Sequence, residues 1–392
     1  MKYFFGIICP SFLLVYLLTF KISFLFITIY LSFCFYLRIF RNKDILFYSP
    51  TPKVLEILQK SQLQNFSFKA HFFLPTTFLQ TLCSSFDARR LSLQKAIELK
   101  AIQFRVPEAE TSLDFVYFPW EDPNAEMTKK CLMIIPGLTG SIKDAYIREL
   151  CNEALNKDFR PIVLNSRWLA QPVKLPKRGP INFIEDVNKT VNYITEKFKV
   201  KQMYGIGISY GSNMLCKYLG TVGRNSDIFK GAVSIGNPFN MYQNARLINR
   251  FWNFLLCRIL QKALIARKKL FTKTKKASFQ FVEVEEALKV TNFMEFDEYF
   301  TRRILGFQSL EEYYKRFSCI YDLKNIKVPL LCLQSKDDPI SHYAVTPFHE
   351  SKKNDNLIFY TTEAGGHIGW IEGFFKLKVF YPKPCIQFLS SL

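Results

Sequence analysis

Short, continuously apolar segments recur from about residue 131 onward, and most are separated by stretches in which apolar residues follow helical spacing. Continuous apolarity predicts strands that are covered on both faces, as in a parallel sheet. The predicted strands are Cys131–Ile135, Pro161–Asn165, Met203–Ile208, Gly231–Ile235, Pro329–Gln334 and Leu357–Thr362. Between the second and third, a surface helix is predicted by Ile184, Val187, Val191, Ile194 and Phe198. The pattern predicts an α/β fold with a mostly parallel, doubly wound sheet and a site at the carboxyl ends of its strands.

Residues 44–128 form a lead-in segment, and from Tyr48 to Arg89 it shows a mixed pattern of short apolar runs interrupted by prolines at positions 50, 52 and 75. We expect this lead-in segment to pack on the core domain, residues 129–392. Within it, Leu113–Phe118 alternates between apolar and polar positions like an edge strand.

Two uncharged apolar runs dominate residues 1–43. Tyr3–Phe20 and Ile22–Leu37 are separated by Lys21 and followed by a basic group made of Arg38, Arg41 and Lys43. Each run spans about 25 Å, close to the roughly 30 Å hydrocarbon core, which predicts a transmembrane anchor as one tilted helix or a hairpin. A cleaved signal peptide is the alternative, but the tract is long and lacks a small-x-small cleavage site. The flanking charges predict a membrane localisation with the following domain in the cytoplasm.

The regular alternation is interrupted between about residues 238 and 316. Ten positive residues and no acidic residue fall from Arg246 to Lys276. An apolar helical surface lies in the same stretch, formed by Phe251, Trp252, Leu255, Leu256, Ile259 and Leu260. A basic helical insertion here predicts a lid or a lipid-contacting surface. A solvated helical pair with a packed inner face is the alternative.

Composition narrows the classes of function. A chain of 392 residues with 49% hydrophobic content can bury a full core. Much of the net charge of +20 is local to the insertion, which favours a membrane surface or anionic lipid headgroup over nucleic acid as partner. The ten cysteines form no C-x-x-C pair and the four histidines no H-E-x-x-H motif. The sequence therefore predicts reduced thiols, no metal site and no cofactor.

A G-x-S-x-G pentapeptide follows the third predicted strand, with Ser209 between Gly207 and Gly211. A sharp strand-to-helix turn exposes the serine hydroxyl, and the close approach of neighbouring backbone admits only glycine at the flanking positions. Glycine-rich strand ends also bind nucleotides or simply turn the chain, so the motif predicts a nucleophile only in context.

A serine nucleophile needs a base, and the base needs an orienting acid. Candidates for both follow later predicted strands: Asp337 and Asp338 in one loop, and His367 in the next. The chain order Ser, Asp, His is that of the α/β hydrolases. Aspartate near proline also commonly caps a turn, which is the structural alternative for the Asp pair. The remaining histidines are in less favourable positions; they are His71, His342 and His349.

A second glycine-rich turn, Pro136–Ser141, follows the first predicted strand. In a hydrolase this loop gives one backbone N–H to the oxyanion, and the residue after the nucleophile gives the other. Leu138 and Tyr210 are the candidate donors. A phosphate-binding loop is the alternative, but its Lys-Ser/Thr pair does not follow Gly140.

These motifs make the chain resemble the YheT-like branch of the α/β-hydrolase fold family from about Leu79 to Trp370. The matching segments are Gly137–Ser141 with Tyr146-Ile147, Gly211–Asn213, Phe296–Phe300, Gly306-Phe307 with Tyr313-Tyr314, Asp337–Pro339 and Gly365–Trp370. Three positions depart from the family pattern: Pro136 replaces a histidine, Ser212 a glycine, and Arg167–Ala170 an Arg-Gly-Cys stretch. The family's substrate preference therefore does not carry over.

The resemblance implies an α/β-hydrolase fold and an activity like that of the eukaryotic members, which are N-terminally membrane-anchored esterases and phospholipases. Its nucleophile falls on Ser209, its histidine on His367 and its acid on the Asp pair, where Asp338 matches better than Asp337. We therefore expect a membrane-anchored serine hydrolase that cleaves carboxylic esters of lipids, such as acylglycerols or phospholipids. An acyltransferase with the same triad and a catalytically silent membrane scaffold are the alternatives.

Overall fold

The computed structural model describes residues 19, 21–36, 44–85, 102–105, 114–117, 130–165, 184–221, 227–266, 268 and 282–392. Nine strands of this part form one sheet in the order β1-β9-β8-β7-β6-β4-β5-β3-β2. They are β1 (Ile45–Phe47), β2 (Ile102–Arg105), β3 (Asp114–Tyr117), β4 (Lys130–Ile135), β5 (Phe159–Leu164), β6 (Met203–Ile208), β7 (Phe229–Ile235), β8 (Leu330–Ser335) and β9 (Leu357–Thr362). Two further strands, β10 (Ile371–Glu372) and β11 (Lys378–Val379), pair separately.

The six strands from β4 to β9 are parallel. Antiparallel strands complete the sheet on both sides, with β1 on β9 and the β2–β3 pair on β5. The chain therefore has an α/β fold with a mostly parallel central sheet.

Helices connect and cover the strands. They are α1 (residues 21–36), α2 (Pro52–Ser61), α3 (Thr77–Ser85), α4 (Ala145–Leu155), α5 (Ile184–Phe198), α6 (Tyr210–Thr221), α7 (Met241–Leu247), α8 (Arg250–Ile265), α9 (Val284–Lys289), α10 (Phe293–Phe296), α11 (Arg302–Ile304), α12 (Leu310–Phe317) and α13 (Pro382–Ser390). A π-helical turn at Asp297–Thr301 lies between α10 and α11.

Both faces of the parallel strands are buried because successive side chains point to opposite faces of a sheet. Leu132 and Ile134 of β4 belong to the core cluster that includes residues of α4 and α13. Met133 and Ile135 of the same strand belong to the cluster that includes residues of α5 and α6. Two-sided burial explains why these strands are apolar throughout.

The six predicted parallel strands and the helix over 184–198 are confirmed. The strand within Leu113–Phe118 is also present, as β3, but its predicted position at an edge is wrong. β3 lies inside the sheet, because β2 pairs with it on the side away from β5.

The predicted transmembrane anchor at residues 1–43 is wrong, and so is the membrane localisation with a cytoplasmic domain that was derived from it. Within the part of the chain that the structure describes, no helix combines the length and apolar character needed to cross a bilayer. Of the predicted anchor, only residue 19 and α1 are described. The hydroxyl of Tyr30 on this helix donates to the Phe73 carbonyl (2.9 Å).

The predicted insertion corresponds to the helices from α7 to α12 between β7 and β8; residues 267 and 269–281 lie outside the described part. The apolar surface predicted on α8 is divided between two faces. Trp252 and Leu260 are buried, whereas Phe251 and Ile259 are exposed. α8 is thus partly packed on its neighbours and partly open to solvent.

Candidate functional site

Ser209 lies on the turn between β6 and α6, with φ at +52°. Positive φ is uncommon for a residue other than glycine and is concentrated at functional sites. The flanking glycines are required by close contacts: a Cβ on Gly207 would lie 2.4 Å from Ser212 Cα, and one on Gly211 would lie 2.2 Å from the Ile135 oxygen. The G-x-S-x-G sequence therefore folds into the sharp turn that its spacing predicts.

A continuous hydrogen-bonded chain joins Ser209, His367 and Asp338. The His367 Nε2 atom is 2.9 Å from Ser209 Oγ, and its Nδ1 atom is 2.8 Å from Asp338 Oδ2. In the neutral imidazole, Nδ1 donates to the carboxylate and Nε2 accepts from the hydroxyl. The three residues follow β6, β8 and β9, whose carboxyl ends meet at one edge of the sheet.

The two neighbouring aspartates face different partners. Asp338 contacts His367, whereas Asp337 Oδ1 accepts hydrogen bonds from Ser335 Oγ (2.6 Å) and from the Gly366 N–H (2.8 Å). The second Asp337 oxygen accepts from the Thr77 hydroxyl. The acid next to the imidazole is thus Asp338.

Asp338 is almost completely buried, with 3% of its surface exposed. Burial raises the pKa of its carboxyl, and the contact with His367 and the N–H groups of Ile340 and Ser341 oppose that rise. Those N–H groups donate to Asp338 Oδ1 at 2.8 and 2.7 Å. A buried carboxylate needs such donors to keep its charge, and here they also fix its orientation toward the imidazole.

The two candidate oxyanion donors belong to segments next to Ser209. Tyr210 follows it in the chain as the first residue of α6. Leu138 follows Gly137, at which a Cβ would lie 3.3 Å from Ser209 Cβ. The loop after β4 therefore passes directly beside the serine.

An apolar cluster adjoins this edge of the sheet. Its buried members are Tyr210, Met214, Met241, Ala245, Tyr313, Tyr314 and Phe317. Leu138 packs against this cluster and also against a second cluster that includes residues of α8 and the π turn. The segment between β7 and β8 thus places apolar side chains against both glycine-rich turns.

Asn244 connects that segment to the loop that carries Asp338. Its Nδ2 donates to the Ile340 carbonyl (2.9 Å), and its Oδ1 accepts from the His342 N–H (2.8 Å). Sequence reasoning missed this residue, because an asparagine within a polar helix gives no signal of a contact about a hundred positions away.

Asp297, on the π turn, is a buried acid close to the serine turn. Burial raises the pKa of its carboxyl to about 7, although hydrogen bonds with Thr301 and Tyr314 oppose the rise. Tyr314 donates its hydroxyl to Asp297 Oδ2 at 2.8 Å. The charge of Asp297 also adds to the effect of burial in raising the pKa of the Tyr210 phenol. This buried carboxyl therefore has a pKa far above the usual range of an aspartate and acts electrostatically on the residue that follows Ser209.

Helix α3 of the lead-in segment contacts the loop that carries His367 through Gln80, Thr81 and Ser84, and the loop that carries Asp338 through Thr77. Sequence reasoning missed this face, although a signal exists. Positions 77, 80, 81 and 84 lie on one side of a helix. Side chains at this spacing that can form hydrogen bonds indicate a buried polar face, just as apolar side chains at the same spacing indicate a buried apolar face.

Comparison with known proteins gives the same fold for the core. The sequence pattern of the family described as alpha/beta hydrolase fold matches residues 130–374. The embryogenesis-associated protein EMB8 of Picea glauca is 31% identical over 270 residues, which cover 65% of this chain and 58% of that protein. A Saccharomyces cerevisiae monoacylglycerol lipase is 29% identical over 286 residues (70% and 63%). Human phospholipase ABHD3 is 27% identical over 261 residues (65% and 62%). The chain thus spans about three fifths of the length of these curated relatives.

Proposed function

Because the chain belongs to the α/β hydrolase fold family, we propose that it is a serine hydrolase that cleaves carboxylic esters of lipids. The observation that carries this proposal is the hydrogen-bonded chain from Ser209 through His367 to the buried Asp338. The similarity to a monoacylglycerol lipase and to phospholipases supports acylglycerols or phospholipids as the substrate class.

In the proposed mechanism, Ser209 Oγ attacks the acyl carbonyl while His367 Nε2 accepts the hydroxyl proton. The tetrahedral intermediate collapses as the ester C–O bond breaks, and the same nitrogen returns the proton to the leaving alcohol. Water then gives a proton to Nε2 and attacks the acyl-enzyme, which releases the fatty acid and regenerates the serine. Asp338 holds the imidazole in its tautomer and stabilises the positive charge that forms on it.

The backbone N–H groups of Tyr210 and Leu138 are the proposed donors to the negative oxygen of the intermediate. Their positions support this role, since one follows the nucleophile and the other lies on the loop beside it. A donor of this kind contributes about 3 to 4 kcal/mol to the transition state.

The helices between β7 and β8 are the proposed lid and acyl-chain site. The apolar cluster around Met214, Met241 and Tyr313 supports a hydrocarbon chain as the bound group. The exposed aromatic residues Phe251 and Phe254, which share α8 with arginines and a lysine, support contact with lipid substrate surfaces.

The test is labelling with a fluorophosphonate probe, which reacts with an activated serine. We expect the wild type to be labelled and Ser209→Ala to remain unlabelled, with ester turnover lower by about 10⁶-fold. Ser351→Ala is the matched control, since this buried serine donates to the Phe348 carbonyl on a turn away from the site. We expect it to label like the wild type. Retained turnover by a folded Ser209→Ala would contradict the mechanism.

Substrate class is tested with the same proteins. We expect fatty acid release from a monoacylglycerol or from a phospholipid, and no release by Ser209→Ala. Hydrolysis of soluble short-chain esters without hydrolysis of either lipid would contradict the assignment to lipid esters.

A further inference from the structure

We propose that helix α3 is a positioning element for the general base, and that Thr81 is its central residue. This inference rests on the proposed serine hydrolase and adds residues that lie outside the matched family segment, since α3 ends at Ser85 and the match begins at residue 130. Helix α3 holds the backbone of the loop after β9, which carries His367.

Both backbone polar groups of His367 are hydrogen-bonded to α3. Its N–H donates to Thr81 Oγ1 at 2.9 Å, and its carbonyl accepts from Ser84 Oγ at 2.8 Å. Thr81 is completely buried, so its oxygen has no access to bulk water. The peptide groups on either side of the histidine are therefore fixed by one turn of a helix.

Gln80 holds the same loop four residues further on. Its Oε1 accepts from the Ile371 N–H (2.7 Å) and its Nε2 donates to the Ile371 carbonyl (3.0 Å). The same Nε2 also donates to the Leu74 carbonyl (2.7 Å). The buried carboxamide thus pairs with the loop backbone as a neighbouring strand would.

Thr77 completes the contact through Asp337. Its hydroxyl donates to Asp337, and Asp337 in turn accepts from the Gly366 N–H at 2.8 Å. α3 therefore reaches both the loop of the acid and the loop of the base. Asp337, which does not contact the imidazole, therefore links Thr77 of α3 to the backbone beside His367.

The loop lies so close to α3 that two of its positions require glycine. A Cβ on Gly366, where φ is +60°, would lie 2.5 Å from Thr81 Oγ1. A Cβ on Gly369 would lie 2.7 Å from the Gln80 carbonyl oxygen. The glycines on both sides of His367 are thus explained by the surface of the helix.

External support is needed because the loop is strained. Ile368 and Trp370 have φ values of +56° and +41°, a region that is unfavourable for any residue other than glycine. Such backbone persists only where the surroundings hold it. The position of His367 Nε2 relative to Ser209 is set by this backbone, so α3 determines the geometry of proton transfer.

The experiment measures the rate of fluorophosphonate labelling of wild type and three variants as a function of probe concentration. This gives two quantities for each protein, the affinity for the probe and the maximal labelling rate. Thr81→Val removes the oxygen that accepts from His367 while keeping the shape, and Thr81→Ser keeps the oxygen. Thr190→Val is the matched control, because Thr190 is buried and its hydroxyl donates to the Asp186 carbonyl on α5. All are compared at a temperature at which each is folded, as judged by its thermal unfolding.

We expect Thr81→Val to lower the maximal labelling rate by about 10-fold or more at unchanged probe binding, since a displacement of about 1 Å costs up to about 100-fold. Thr81→Ser and Thr190→Val should label like the wild type. If Thr81→Val does not fold, Thr77→Val takes its place with the same expected direction.

The outcomes separate the two proposals. Equal maximal rates for wild type and folded Thr81→Val would overturn the positioning role and leave the serine hydrolase standing. A folded wild type that is not labelled at all would contradict the proposed function itself.

Discussion

At the scale of single residues, two adjacent carboxylates bind different partners. Asp338 is bonded to His367 Nδ1, while Asp337 joins Gly366 and Thr77. The partners differ because the two side chains extend from the loop after β8 in different directions. This difference makes the pair a matched comparison, since the two residues are chemically identical neighbours.

We expect Asp338→Asn to lower kcat/KM by about 10⁴-fold, because an amide favours the wrong tautomer of the imidazole and does not stabilise its positive charge. Asp337→Asn keeps an oxygen that accepts from Gly366, so its loss should be far smaller. Ester turnover of the two variants is the measurement. A larger loss in Asp337→Asn would assign the acid to the other residue.

Asp297 predicts a pH dependence of stability. Its pKa is raised by burial to about 7 from the model-peptide value of 3.8. The unfolded chain therefore loses this proton at lower pH than the folded protein does. The resulting destabilisation begins as pH rises above about 4 and is complete above about 7.

We expect Asp297→Asn, which carries no such proton, to gain stability relative to the wild type between about pH 5 and pH 8, by about 2 kcal/mol. The free energy of unfolding in urea at both pH values is the measurement. Asp186→Asn, at another buried aspartate, serves as the control. If the free energies of unfolding of Asp297→Asn and wild type differ by the same amount at both pH values, the expectation is refuted.

At the scale of elements, α8 carries an inner face and an open face. Trp252, Cys257 and Leu260 are buried, whereas Phe254 is 41% exposed and lies under the Arg258 guanidinium, whose carbon is 5.0 Å from the ring centroid. A solvated helical surface normally carries polar side chains, so the exposed aromatic and basic residues together are the basis of the proposed contact with lipid.

We expect Phe254→Asp to lower hydrolysis of lipid dispersed in anionic vesicles by roughly 10-fold or more, because burying a phenylalanine side chain contributes about 1.5 to 3 kcal/mol. Hydrolysis of a soluble short-chain ester should not change. Tyr321→Asp, at an exposed aromatic residue on the turn Cys319–Tyr321, is the control. Equal losses on both substrates would argue against the lipid contact.

The elements themselves were predictable to different degrees. β4 to β9 were predicted because each is apolar throughout, which is a local property of the chain. β1 and β2 were not, since β1 has three residues and β2 four, and they are strands only because β9 and β3 offer them hydrogen bonds. The transmembrane anchor predicted from the apolar pattern of residues 1–43 was wrong for a related reason. Apolar character alone predicted a span, whereas no helix among the described residues is both long and apolar enough to cross a bilayer.

At the scale of the whole molecule, the sheet brings distant segments to one edge. Ser209, Asp338 and His367 follow strands that are neighbours or near neighbours in the order β9-β8-β7-β6. The carboxyl ends of parallel strands lie at the same edge of the sheet, so residues that follow these strands lie close together although more than a hundred positions separate them in the chain. Helix α3 reaches this edge from the other end of the chain and contacts both the loop that carries Asp338 and the loop that carries His367.

The sequence by itself determined the parallel core, the turn that carries Ser209, and the chain order of serine, aspartate and histidine. Each is encoded in local runs of apolar residues, in glycine spacing, or in a residue just past a strand. Tertiary structure alone decided what Asp337 binds, which helix holds the histidine loop, and that Asp297 is buried. These depend on side-chain direction and packing between segments far apart in the chain, and no local pattern encodes them.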